Sequence, residues 1–477
     1  MDLTAAIAFS RFGLGRRKDE PVPRDARAWL RAQLQEADTT PDYGMLTSAQ
    51  ALELVHQEQM ARAAGRGFTT ESPNQITITQ RGAQPGASYP EQPPGMAMAG
   101  PMEPRHEKKT LTPEQLAARQ HEDAEVHAAI ARMMTTEQGF RERLVWFWFN
   151  HFTVANRNRA TGATVGPYIR EAIRPNVTGS FRDMLFAVMR HPAMLTYLDQ
   201  FHSIGPDSPM GERRHKGLNE NLARECLELH TITPAAGYTQ DDVTSFAKIL
   251  TGWSVEIQKA PRGFVFEPRA HEPGEQNVLG QTWPDGEQGG IAILEWLSTH
   301  PATYHHLAEK LVRHFVADDP SPADVAHIEG VLSGTGGSLG AAANALVDLP
   351  NAWTPLTKLR TPQEYVIATM RAVGAHPEAE QQLPGTFAAL GQKLFDAPFP
   401  IGWPDRAVDW SSPEAILQRV DFAYQFTHRV TDQEPADVAE NTLGPLLGAE
   451  TLAQIRRAGS RQDGLTVLFS SPEFQRR

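Results

Sequence analysis

Between Leu218 and Trp253 the chain reads LNENLARECLELHTITPAAGYTQDDVTSFAKILTGW, and this segment holds the residue types best suited to chemistry. Asn219, Asn221, Arg224, Glu225, Glu228 and His230 all fall within about four helical turns. On a regular helix with Asn221 at zero, Glu225, Glu228 and Arg224 project at roughly 40°, −20° and −60°. Leu218, Leu222, Cys226 and Leu229 take the other flank, so an apolar side backs a narrow polar stripe. Two carboxylates one turn apart repel each other, and burial would raise one of them into an acid. Such a pair supplies general acid/base capacity or ligates a divalent metal. The competing reading is a solvated helix face. Against it, the stripe has no lysine and runs into His230, Thr231 and a Gly- and Pro-containing turn.

Further residues complete this candidate set. His151 ends the aromatic run RERLVWFWFNH and is placed to project into a cavity beneath Glu225. In the working reading Glu225 and Glu228 are catalytic, with His151 and His230 as proton carriers. Asn219, Asn221 and Arg224 orient the substrate, Trp253 borders a pocket and stacks on a sugar ring, and His271 reaches in from the run AHEPG. A polar substrate, saccharide-like or anionic, fits these residues. His305, His306 and His314 share one long helix and read as surface or satisfied core residues. There is no HExxH, nucleophile elbow or dinucleotide fingerprint. The glycine-rich SGTGGSLG (333–340) follows no strand and lacks the phosphate-binding lysine. The single cysteine, Cys226, excludes an internal disulfide and reads as an inert buried thiol rather than a nucleophile.

The elements that must position these residues read as helices. A chain of 477 residues with 40% hydrophobic and 21% charged content suits a globular protein with a sizeable core. Its net charge of −12 argues against broad nucleic-acid binding, and no apolar run is long enough to span a membrane. No signal peptide is expected at the N-terminus, so the chain reads as cytoplasmic or as exported by a route it does not encode. Residues 1–66 should be helices packing on a main all-α domain at 111–477, with 67–110 as a Pro/Gly/Met-rich linker. Met96, Met98, Met102 and His106 in that linker could bind copper(I), but no second ligand set accompanies them. Helix–proline–helix corners recur at MRHPAML, STHPATY and LFSSPEF. The expected fold is mostly α, with one irregular loop or small hairpin at 254–280.

The chain resembles the bacterial family known as domain of unknown function 1800. The stretches that carry the likeness include AAIAFSRFGLG (5–15), WFWFNHFTVA (146–155), LNENLARECLELHTI with GYTQDDVTSFAKILTGW, HPATYHHLAEKLVRHFVADDPSP (300–322), KLRTPQEYVIATMRAVGA (358–375) and IGWPD (401–405). They follow in order along nearly the whole chain. The resemblance implies a mostly helical protein and brings no activity. It also implies a sulfatase-like partner, of the family known as domain of unknown function 1501, which tends to carry a twin-arginine export signal. Two functions stand side by side. One is an enzyme with its site beside Glu225 and Glu228; the other is a non-catalytic partner or chaperone of the sulfatase-like protein, co-exported with it to the periplasm. In the second, the polar stripe is a packing network.

Overall fold

A computed structural model describes residues 1–39, 44–65, 111–214, 217–374, 381–430 and 432–477. The expected 67–110 linker, with Met96, Met98, Met102 and His106, lies outside the described residues. Among the described residues helices dominate, as the apolar periodicity predicts, and the strands form only two small antiparallel hairpins. Among the described residues no helix is long and apolar enough to cross a membrane.

Local chemistry sets the helix ends. At Pro113–Thr135 and Pro362–Val373 a threonine cap and the glutamine or glutamate three residues on exchange hydrogen bonds, closing capping boxes before a first-turn proline. The predicted proline corners form between Phe181–Met189 and Pro192–Tyr197, Glu287–Thr299 and Pro301–Phe315, and Arg461–Ser470 and Pro472–Gln475. In the first two a histidine is the cap: Nδ1 of His191 accepts from Ala193 N, and Nδ1 of His300 from Ala302 N, each at 3.1 Å. Both imidazoles are thereby spent on helix termini.

The Gly139–His151 helix is buried nearly all round, Arg141, Glu142, Arg143 and His151 included, as an element enclosed on every side must be. Phe140 meets Phe12 edge-on at 5.3 Å and Phe315 edge-on at 5.7 Å. The N-terminal segment, this helix and the Pro301–Phe315 helix therefore share one aromatic cluster. Truncating such a ring to alanine costs about 3–5 kcal/mol. Arg11, fully buried, donates to the carbonyls of Val316 (2.7 Å), Thr354 (2.7 Å) and Arg477 (3.1 Å). A cation thus answers unsatisfied carbonyls just past the C-terminal end of the Pro301–Phe315 helix and fixes that end in place.

Two expectations need correction. The 218–230 segment is no continuous α-helix: residues Asn221–Glu225 form one turn, and Cys226–His230 form a wider π turn. The wider turn shifts Glu228 from the angle a regular helix gives it, so the stripe is not the straight row its spacing implies. The 254–280 region also holds more than one hairpin. Strands β1 (Trp253–Glu256) and β2 (Gly263–Phe266) pair, and so do β3 (Gln276–Val278) and β4 (Gln281–Trp283). The second turns on Leu279 (φ +51°) and Gly280 (φ +74°), a left-handed pair that fits a tight hairpin. Leucine is a poor signal for such a turn, and Asp242 Oδ1 supports it from outside by accepting Leu279 N at 2.6 Å.

Candidate functional site

The described residues enclose a cavity of about 470 Å³, within the range of small-molecule sites. Four segments build most of its wall, with Leu14, Met133 and Leu229 completing it. The Gly139–His151 helix contributes Arg143, Trp146, Phe147, Asn150 and His151, and the Pro301–Phe315 helix contributes His306, Lys310, Arg313 and His314. The start of the Pro362–Val373 helix supplies Glu364 and Ile367, and the 392–409 loop supplies Phe395, Ile401, Trp403 and Asp405. The loop is clamped to the aromatic helix: Asn150 Nδ2 donates to Trp403 O (2.9 Å) and Asn150 Oδ1 accepts from Trp403 N (2.7 Å). Gly402 sits at φ +85°, and a Cβ there would fall 2.5 Å from Asn150 O. Only glycine satisfies that conformation and that approach together.

His306, Lys310 and His314 recur at steps of four and therefore share one helix face. His314 Nδ1 donates to Asp405 Oδ2 at 2.8 Å, while its Nε2 is buried with no partner. This is the arrangement of an oriented base: the carboxylate fixes the tautomer and leaves the other nitrogen's lone pair free. Burial lowers His314, with Asp405 opposing, so the ring is neutral near pH 7. Burial pushes Asp405 up, but His314, Lys358 and Arg477 outweigh it and hold the acid at about 2. Lys358 reaches Asp405 Oδ1 at 3.7 Å while also pairing with Asp318.

Lys310 stands apart. It makes no hydrogen bond and no ion pair with any described residue, and burial, with Arg313 beside it, lowers its pKa to about 8 against the pull of Asp405. His306 is held at about 4 by burial and by Lys310, and its Nε2 donates to Leu229 O at 3.0 Å. His151 is pushed well below its ordinary value by burial first, then by Lys310, His306 and His230. One wall of the site is thus a lysine among neutral imidazoles.

Behind that wall lies a buried ion network. Glu364 receives Arg143 on one oxygen, and Arg477 Nε (3.1 Å) and Thr361 N (3.0 Å) on the other. Burial pushes the Glu364 carboxyl up, and Arg143, Arg477 and His314 reverse this and hold it well below the usual carboxylate range. Arg477 also donates to His314 O at 3.0 Å. The same cation therefore steadies the base's backbone and the carboxylate.

The residues singled out from sequence divide around this cavity. His151 lines it, and His151 Nε2 donates to His230 O at 3.2 Å. His230 itself is buried, lowered to about 3 by burial and Lys310, with its Nδ1 unpartnered. Glu225 and Glu228 do not line the cavity; burial and Glu228 together raise Glu225. Arg224 pairs with Glu220 and Gln240 at 2.8 Å each, on the outer face. Asn219 caps locally, accepting from Asn221 N at 2.9 Å, and Asn221 is exposed. Trp253 is fully buried, edge-on to Phe264 and close against Gly290, so it has no open face for a sugar. His271 is spent on structure: Nδ1 donates to Thr251 O (2.8 Å) and Nε2 accepts from Gly286 N (2.9 Å). Cys226 is buried and its thiol is pushed up by burial. Among the described residues no group of three or more His, Cys, Asp or Glu side chains is placed to hold a metal ion.

Sequence reasoning missed Lys310, Glu364, Asp405 and the role of His314. The available signal was the four-residue step His306–Lys310–His314, which puts two imidazoles and an amine on one face.

Six stretches that carry the family resemblance reach this cavity: 5–15 through Leu14, 146–155, 218–232 through Leu229, 300–322, 358–375 and 401–405. Comparison with curated proteins and with solved structures finds no match. A family model described as "Protein of unknown function (DUF1800)" matches residues 7–476. With nearly the whole chain covered, the protein belongs to the DUF1800 family.

Proposed function

We propose that the protein is an enzyme performing acid–base chemistry on a small molecule held in the cavity. His314 is the general base, Asp405 is the positioning residue that orients it, and Lys310 meets an anionic or carbonyl oxygen of the ligand. The observation that carries this reading is the free, buried Nε2 of His314 opposite an Nδ1 tied to Asp405 at 2.8 Å. In the reaction Nε2 takes a proton from the ligand or from a bound water, and Asp405 stabilises the imidazolium that forms. The Lys310 ammonium offsets negative charge developing on the ligand oxygen. Trp146, Phe147, Phe395 and Ile367 favour a ligand whose remaining body is apolar.

The test is consumption of small molecules from a metabolite extract, followed by mass spectrometry, with wild-type protein and His314→Gln. Losing a general base lowers the rate about 10²–10⁴-fold. Turnover by His314→Gln equal to wild type, or no compound consumed by the wild type, refutes the reading. The Glu225–Glu228 pair supports a second reading, a proton donor on the outer face, because burial and Glu228 both raise Glu225. Loss of turnover in Glu225→Gln with His314→Gln fully active would move the site there.

A further inference from the structure

We propose that Lys310 is a covalent ligand-binding group, whose amine condenses with the aldehyde or ketone carbonyl of an aryl or alkyl compound to form an imine. This rests on the cavity being the working site and adds the class of ligand and the bond that holds it.

The geometry distinguishes Lys310 from a structural lysine. Lys358 is fully buried and tied to Asp318 and to Asp405, whereas Lys310 is half-buried at the cavity wall. Lys310 has neither a hydrogen bond nor an ion pair with any described residue, although it faces the same Asp405. That carboxylate is already committed to His314 and Lys358. An amine without a paired counterion, inside a cavity walled by aromatic rings, has its ammonium form destabilised, so the neutral form that carries the lone pair for attack is reached closer to neutral pH than in a solvated lysine. A low folded-state pKa of about 8 agrees with this.

The neighbours suit each step. The Nζ lone pair attacks the carbonyl carbon, the C–N bond forms, and the carbonyl oxygen takes a proton from solvent to become a hydroxyl. Nζ gives one proton to His314 Nε2, one turn further along the same face, about 5–6 Å away between Cβ atoms. His314 returns that proton to the departing hydroxyl, the C–O bond breaks, and water leaves. The nitrogen lone pair closes the C=N bond, and the iminium passes its remaining N–H proton to solvent. Amine and carbonyl become imine and water, with no oxidant or reductant required. Ile401 lines the cavity and is 59% exposed, so the apolar lining reaches the surface and gives the ligand body a way in.

The experiment uses the full chain, 3-phenylpropanal as the probe and sodium cyanoborohydride to reduce any imine, read by peptide mass spectrometry. The chain has nine lysines, so surface sites provide an internal reference. Lys310 should be alkylated at least tenfold faster than Lys393, whose side chain is 59% exposed. Its rate should rise as the pH passes about 8, and His314→Gln should slow Lys310 severalfold while leaving Lys393 unchanged. Labelling of Lys310 no faster than Lys393 in the wild type overturns the proposal. If that occurs while His314→Gln still abolishes metabolite turnover, the imine fails and the acid–base reading stands. Selective Lys310 labelling with undiminished turnover in His314→Gln supports the imine and refutes His314 as the general base.

Discussion

Replacing Glu364 by glutamine tests whether buried charge holds the wall of the cavity. The native carboxylate receives Arg143 on one oxygen, and Arg477 Nε at 3.1 Å with Thr361 N at 3.0 Å on the other. Glutamine keeps the shape and one carbonyl acceptor, but turns the second oxygen into a donor facing a guanidinium. Two charge-assisted hydrogen bonds of about 1.5–3 kcal/mol each are lost, and one neutral bond of about 1 kcal/mol is kept. That leaves about 2–5 kcal/mol, and the Arg143 guanidinium left without a carboxylate, with Arg477 keeping only its 4.0 Å approach to Asp405, moves the result toward about 3–5 kcal/mol. The assay is amide hydrogen exchange across Gly139–His151 and Pro362–Val373. At 1.36 kcal/mol per tenfold, protection should fall by roughly two to three and a half orders of magnitude. The pH dependence has a definite sign. Because the folded Glu364 lies below its unfolded value of about 4.3, its contribution is present above that pH and lost as the pH falls from there through the folded value. The gap between wild type and variant should therefore be constant from about pH 8 to about pH 5 and shrink only in stronger acid. A loss of protection below tenfold at pH 7 would refute the reasoning.

Lys310→Met should stabilise the protein at pH 7 by about 2–3 kcal/mol, since the lysine is held at about 8 in the fold against an ordinary 10.5. The variant's advantage over wild type should shrink as the pH rises between those two values; urea denaturation of both proteins at both ends of the window reads it, and equal stability at pH 7 sinks the idea. Gly402→Ala puts a Cβ 2.5 Å from Asn150 O at a left-handed φ, so thermal unfolding should show a loss of about 1–3 kcal/mol, and an unchanged melting temperature counts against the clamp. Glu228→Gln removes the like charge that helps raise Glu225, so the Glu225 carboxyl, followed by carbon-13 NMR, should titrate at lower pH; no movement would assign the whole shift to burial.

Much of the fold was legible because its determinants are local. Threonine caps, first-turn prolines and apolar periodicity are written within a few residues of where they act, and the helices and proline corners formed where those signals stood. The aromatic run before His151 announced a buried helix through composition alone. Local signals failed where geometry departed from the regular period: the π turn at Cys226–His230 displaced Glu228, and the second hairpin turned on a leucine at positive φ, with only Gly280 as a turn residue.

The cavity was a different matter. The four-residue step puts His306, Lys310 and His314 on one helix face, but whether that face met solvent or an enclosed site depended on partners far along the chain. Asp405 lies 91 residues from His314, Glu364 lies 221 from Arg143, and Arg477 lies 163 from His314. An amine on a helix is a solvated charge or a poised nucleophile according to what is brought against it. Here burial beside Arg313, with Asp405 already engaged elsewhere, left Lys310 without a counterion. The sequence by itself determined the helices, their ends and the family; only the tertiary structure decided which polar face became a site, because desolvation and pairing are properties of the packed chain.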